Sequence, residues 1–413
     1  MTLKNEVIFI LGITKFDADI ESTSFTTAKY LAKENDVYYI DYPVTFKDYL
    51  KNKGTERHKK RRKSFFSVKN CLISTDIERL KILVLPPVLS INFLSESMVY
   101  RTLLTFNEQI IVNRIKGVIE RKNISKYIYI NSFNFHYPNI GSILKPDLTV
   151  YQCVDPLVIE HDRRHGIKSE KIILNKSDLV ICTSKQLCLE KSNENKNTYF
   201  IPNAADLDHC SKALDEDLNL HFKISEIRKP IVGYFGNIER RIDLDLLSET
   251  IKSNPKINFV FAGPVDNSYI PDSFIKMDNV HFIGRVFYEE LPSVLKGFDV
   301  AIIPFKKDEV SNTIFPLKLF EYLGAGKPVV STDFNQDLKE YTGDSVIYCT
   351  SSSEFITGII TALTLNSEKN IKKRLRIAAD NTWEKRLAEL SELIAKHHLT
   401  KCSFSNKALY VGY

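Results

Sequence analysis

Short apolar runs recur along the chain, each followed by a polar loop and then by a stretch with helical spacing. In the first half Glu6–Leu11, Val37–Ile40, Tyr127–Ile130, Leu148–Val154 and Leu179–Thr183 read as strands buried on both faces. Between them, Ser22–Lys33 places Phe25, Ala28, Leu31 and Ala32 on one side of a helix, and Leu103–Lys122 and Lys168–Lys176 follow the same period. The second half repeats the scheme. Strands are expected at Pro230–Gly236, Asn258–Pro264, Val280–Gly284, Ala301–Pro304 and Pro328–Thr332, with helices at Leu244–Ile251, around Leu291 and Leu295, and at Leu317–Leu323. Alternating strands and helices imply parallel sheets covered on both faces.

Residues 301–334, AIIPFKKDEVSNTIFPLKLFEYLGAGKPVVSTDF, form the most informative unit. A buried strand leads through the loop Lys306–Thr313 to Pro316, whose missing N–H costs nothing in the first turn of a helix. Gly324 and Gly326 end that helix. In open parallel sheets ligands sit where loops leave the carboxyl ends of strands. Here the loop ends at a helix N-terminus, whose free N–H groups and dipole favour phosphate. Lys318 and Glu321 share a helix face, one suited to a diphosphate and the other to the hydroxyls of a ribose. By spacing alone, a solvated Lys/Glu pair on an ordinary helix is the simpler account.

The segment resembles the donor-site signature of GT-B glycosyltransferases, in the family-4-like group (glycosyl transferase group 1) that includes teichuronic acid and exopolysaccharide transferases. Pro316, Lys318, Glu321, Gly326, Pro328, Val329 and Val330 carry the match. Many members have two glutamates separated by seven residues, and the first position here is Thr313. YQCVDP at 151–156, Glu170, SDLVICTS at 177–184 and FIPNAAD at 200–206 resemble the end of the family's first domain, with Ala204 where glycine is commoner. The match spans roughly residues 150–390.

The resemblance implies an α/β GT-B fold: two Rossmann-like, doubly wound parallel-sheet domains facing a central cleft. Their expected bounds are 1–206 for an acceptor-side domain, 207–229 for a linker and 230–380 for a nucleotide-sugar domain, with a helix in 381–413 crossing back. It implies transfer of a sugar from a UDP- or GDP-sugar to a glycan or lipid-linked acceptor in cell-surface polysaccharide synthesis, with no metal and no cofactor. The donor contacts would be Gly236, Asn237, Arg240 and Arg241 after one strand, Arg285 and Val286 after another, and Thr313, Pro316, Leu317, Lys318 and Glu321 at the helix. Glycine permits close approach of backbone to the diphosphate, and arginine supplies charge. A retaining transferase can pass the acceptor proton to the leaving phosphate; an inverting one needs a side-chain base. Asp155, at a strand tip, is the first candidate and His136 the second, and a structural role is the simpler account of either. A sugar-nucleotide 2-epimerase and a non-catalytic nucleotide-sugar-binding subunit remain alternatives, the latter because of Thr313.

Charge refines the picture. Of 413 residues, 43% are apolar, and the net charge is +6. Residues 51–63, KNKGTERHKKRRK, hold eight Lys/Arg and one Glu, so +7 lies there and +6 − 7 = −1 elsewhere. General nucleic-acid binding is therefore a poor reading. Lys51–Lys63, with the apolar, proline-broken Ile82–Leu94, suggests peripheral contact with an anionic membrane; a solvated loop before an internal strand explains the same residues. Seven cysteines without a C-x-x-C pair, no G-x-G-x-x-G, no signal-peptide pattern and no apolar stretch near ~20 residues point to a cytoplasmic protein without a dinucleotide cofactor.

Overall fold

A computed structural model describes residues 2–18, 22–158 and 160–410, with side chains as far as 401. The chain forms two compact units. One runs to Ile201 and takes in the residues from Leu387 on; the other is Pro202–Arg386.

The first unit holds β1 (Val7–Leu11), β2 (Asp36–Ile40), β3 (Leu72–Ser74), β4 (Leu80–Leu83), β5 (Ile128–Ser132), β6 (Leu148–Cys153), β7 (Leu179–Cys182) and β8 (Thr198–Phe200). They pair in the order β3-β4-β2-β1-β5-β6-β7-β8, parallel except for the short edge strand β3. The expected runs became strands because no position in them tolerates water: Ile8 to Leu11 are fully buried. Ser22 starts the first helix, Thr23–Leu31, by accepting a hydrogen bond from the Phe25 N–H.

Most of Ile82–Leu94 lies inside: Ile82, Leu83, Val84, Leu85, Val88 and Ile91 are buried in β4 and the turn after it, and Phe93 near its end is exposed. The basic segment is not a loop either. It lies across two short helices, Phe46–Lys51 and Glu56–Arg61, capped by Thr45 and Thr55, and Arg61 points into the protein.

The second unit contains β9 (Ile231–Phe235), β10 (Asn258–Ala262), β11 (Val280–Gly284), β12 (Val300–Ile303), β13 (Val329–Thr332) and β14 (Val346–Cys349). All are parallel, in the order β11-β10-β9-β12-β13-β14. The sequence pattern did not single out β14. Strand order reverses between β9 and β12, where a doubly wound sheet opens to ligands.

Residues 207–229, expected as a linker, pack as part of this unit. Lys223 Nζ donates to the Ile283 carbonyl at 2.6 Å, and Lys296 Nζ gathers the carbonyls of Asp215, Glu216 and Leu218. The last helix, Trp383–Tyr410, continues beyond Lys401, where the apolar pattern fades.

Candidate functional site

Three glycine turns close the carboxyl ends of β9, β10 and β11. Gly236, Gly263 and Gly284 have φ of 121°, 148° and 74°, in the region that side chains disfavour. The Gly236 N–H donates to the Ala262 carbonyl at 2.9 Å, and the Gly263 N–H to the Gly284 carbonyl at 2.8 Å. A Cβ on Gly263 would lie 2.1 Å from the Gly236 carbonyl oxygen, so the first two turns touch backbone to backbone.

The fourth loop follows β12. Asp308 accepts from the Ser311 N–H, and Asn335 donates to the Ile314 carbonyl, fixing the approach to Pro316. Pro316 is the N-cap of the helix Leu317–Gly324, and no side chain caps that end. Gly326, at φ 69°, turns the chain into β13.

Lys318 lies at the start of this helix and is only partly exposed. Its ammonium donates to the Tyr234 hydroxyl at 2.7 Å and lies 4.0 Å from the Tyr234 ring centre and 5.1 Å from that of Phe305. Tyr234 donates in turn to the Asn237 carbonyl at 3.0 Å. A Cβ on Gly236 would lie 2.7 Å from Lys318 Nζ, so the ammonium fills space that only glycine leaves open. Burial lowers the Lys318 amine to about 7; Arg241 adds to this, while Glu321 and Glu239 oppose it. Arg241 is ion-paired with Glu239 and faces the Phe305 ring at 5.9 Å.

The structure thus gathers Gly236, Asn237, Arg241 and Lys318, with Pro316, Leu317 and Glu321 on or beside the same short helix. Arg240 is half-buried, Arg285 is exposed and Val286 is half-buried. Thr313 offers no replacement for a glutamate: it is buried, and its hydroxyl donates to the Val310 carbonyl at 2.7 Å. Two residues were missed. Tyr234 read only as a core aromatic, and Lys223, in a polar stretch without pattern, reaches the Gly284 turn.

In the first unit, His136 follows β5. Its ring centre lies 4.4 Å from Phe135 and 6.1 Å from Tyr42. Burial pushes the imidazole down to about 4 against the opposing charge of Asp162. Asp155, after β6, is exposed. The nearby asparagines are structural: Asn131 and Asn134 hydrogen-bond each other's chain segments, and Asn134 also holds the Gly12 carbonyl.

Among the described residues no group of three His, Cys, Asp or Glu side chains is placed to hold a metal. Of the four Asp-x-Asp triplets, the one at 17–19 lies partly outside the described residues, with its Asp17 paired to Arg61, and those at 206–208, 215–217 and 243–245 serve local structure. Asp206 and Asp243 cap helices, and Asp215 accepts from the Asp217 N–H.

Residues 229–365, which contain all four loops, match the family described as Glycosyl transferases group 1. This segment is similar to the group 1 glycosyl transferases. A protein of Bacillus subtilis (strain 168), named for teichuronic acid biosynthesis as the glycosyltransferase TuaH, is 27% identical over 276 residues. The alignment covers 60% of this chain and 66% of that one, just under two thirds of its length. Sucrose-phosphate synthase from Thermosynechococcus elongatus superposes with a TM-score of 0.67 at 15% identity, over 95% of this chain and 99% of that one. Anabaena HepE, solved with UDP, gives 0.60 at 13%, over 95% and 100%. The fold is therefore GT-B, and the group 1 match lies in its second unit. Among the described residues no helix is long and apolar enough to cross a membrane.

Proposed function

We propose that this chain is a glycosyltransferase that moves a sugar from a UDP- or GDP-sugar to a glycan or lipid-linked acceptor in cell-surface polysaccharide synthesis. The observation that carries the reading is Lys318, a basic group in an aromatic setting beside a glycine turn, with only a hydroxyl as its hydrogen-bond partner among the described residues. The name of TuaH and the UDP bound to HepE support it.

In this reading the diphosphate docks against the Gly236 turn and the start of the Leu317–Gly324 helix. Lys318 and Arg241 neutralise the charge that grows as the bond from the anomeric carbon to the phosphate oxygen breaks. Glu321 accepts hydrogen bonds from the ribose. The acceptor oxygen bonds the anomeric carbon, and its proton passes either to the leaving phosphate or to a base, for which Asp155 and His136 are the candidates. These residues supply the positive charge, so no metal and no cofactor is part of the proposal.

The buried Thr313 hydroxyl favours a second reading, a subunit that binds nucleotide sugar without turnover. Incubation with a panel of UDP- and GDP-sugars separates the cases. Slow release of free UDP or GDP is expected of a transferase. A changed sugar without release would indicate an epimerase, and binding without either would leave a binding subunit.

The acceptor side of the proposal extends to the inner face of an anionic membrane. Seven of the eight cations in 51–63 are exposed, and Phe46, Leu50 and Phe66 stand exposed beside them, taking the apolar role first given to Ile82–Leu94. Clustered Lys/Arg contribute about 1 kcal/mol each near such a surface. Replacing Lys59, Lys60, Arg62 and Lys63 by Ser, with Arg61 kept, should abolish sedimentation with anionic liposomes; unchanged sedimentation removes the membrane.

A further inference from the structure

We infer that Tyr234 is a positioning residue for the donor diphosphate: its hydroxyl holds Lys318 Nζ over the Gly236 turn, so that an anion reaching that turn meets the nitrogen already in place. The inference rests on the donor-site reading above.

An ammonium drawn away from water needs acceptors. Among the described residues Lys318 has one, the Tyr234 oxygen at 2.7 Å, which leaves two N–H bonds for a ligand. Tyr234 is itself fixed. It is 1% exposed, and its own proton goes to the Asn237 carbonyl. The oxygen therefore presents a lone pair to Lys318 and ties the ammonium to the Gly236–Asn237 turn. A second hydroxyl reinforces the geometry: Tyr322, on the Lys318 helix, accepts from the Phe235 N–H at 3.0 Å. The helix and the end of β9 are thus joined at two neighbouring positions.

Three charged groups on two elements surround the amine: Arg241 and Glu239 on the loop after β9, and Glu321 on its own helix. Burial and Arg241 favour the neutral amine, and a bound diphosphate would favour the ammonium. Binding above pH 7 should therefore take up a proton at Lys318. UDP itself does not titrate at pH 8, because a terminal phosphate loses its last proton near ~6.

Titration calorimetry with UDP and with GDP at pH 8, in two buffers of different ionisation enthalpy, tests this on the whole chain. The wild type should take up most of a proton. Tyr234→Phe should fold normally and bind about tenfold more weakly. Lys318→Met should bind without proton uptake, and adding Tyr234→Phe to it should cost nothing further. If Tyr234→Phe binds as the wild type does, or loses the same factor in the Lys318→Met background, the inference falls and the donor site stands. If the wild type binds neither nucleotide, the donor-site reading fails as well.

Discussion

Each unit buries a cation at the carboxyl ends of its parallel strands, and the two are treated in opposite ways. Arg61, 2% exposed, is held by Asp17 through two bonds of 2.6 and 2.8 Å, and by Asp41, the residue after β2. The Arg57 carbonyl and the Phe16 ring complete its shell. Burial alone would raise the Asp17 carboxyl, but the bonds and charge of Arg61 hold it below the usual range. Lys318 has aromatic rings and one hydroxyl where Arg61 has two carboxylates. A buried cation with its counter-charge built in works as a clip, here fastening the basic helices to the loops after β1 and β2. One without it has kept its charge complement open to a ligand.

The comparison breaks most easily at Arg61. Arg61→Met leaves Asp17 and Asp41 enclosed without a counter-ion, and removing one partner of a buried pair costs about 3–5 kcal/mol. The urea midpoint of the first unit should fall accordingly; a loss below about 1 kcal/mol would show that the clip is ornamental. Lys318→Met should move stability the other way. The folded amine titrates near 7, below its ordinary 10.5, so the unfolded chain binds more protons between those values. The penalty is full below pH 7 and gone above 10.5. The variant should therefore gain roughly 2 kcal/mol near pH 7, and less at pH 9.5, while losing nucleotide affinity. Urea titrations at the two pH values check the sign. Equal gains at both would mean that Lys318 is not strained by burial.

The same contrast explains what could be read from sequence. Features with a direct backbone consequence were legible: the apolar runs of β9 to β13, Pro316 at a helix start, Gly326 beyond its end, and the glycine after β9. Lys318 and Glu321 were legible as a pair because helical spacing places them on one face. Which cation of 51–63 would turn inward was not, since Asp17 and Asp41 lie 44 and 20 residues away from Arg61. Ile82–Leu94 has the composition of either an interior strand or a membrane contact, and only its partner β2 decides. Tyr234 was hidden because strand alternation assigns a face but says nothing of what a buried hydroxyl meets. β3, three residues ending in Ser74, is too short to rise above a loop pattern, whereas β14, Val346 to Cys349, is apolar and as long as β12 and was passed over.

His136 shows a third way to bury a titratable group, which is to discharge it. Its folded pKa of about 4 lies below the ordinary 6.5, so the unfolded chain binds more protons between pH 6.5 and 4. Stability should therefore be complete above 6.5 and decline as pH falls through that window, by about 1 kcal/mol for a ring that keeps some exposure. Asp162 opposes the shift, while His161 and His165 add to it. His136→Gln keeps a polar side chain of similar reach and removes the proton, so its urea midpoint should vary less than the wild type's between pH 6.5 and 4.5. A parallel decline in both proteins would place the acid sensitivity elsewhere. It would also return His136 to ordinary basicity, where it would titrate close to neutrality and be a better acceptor for the proton of an incoming hydroxyl.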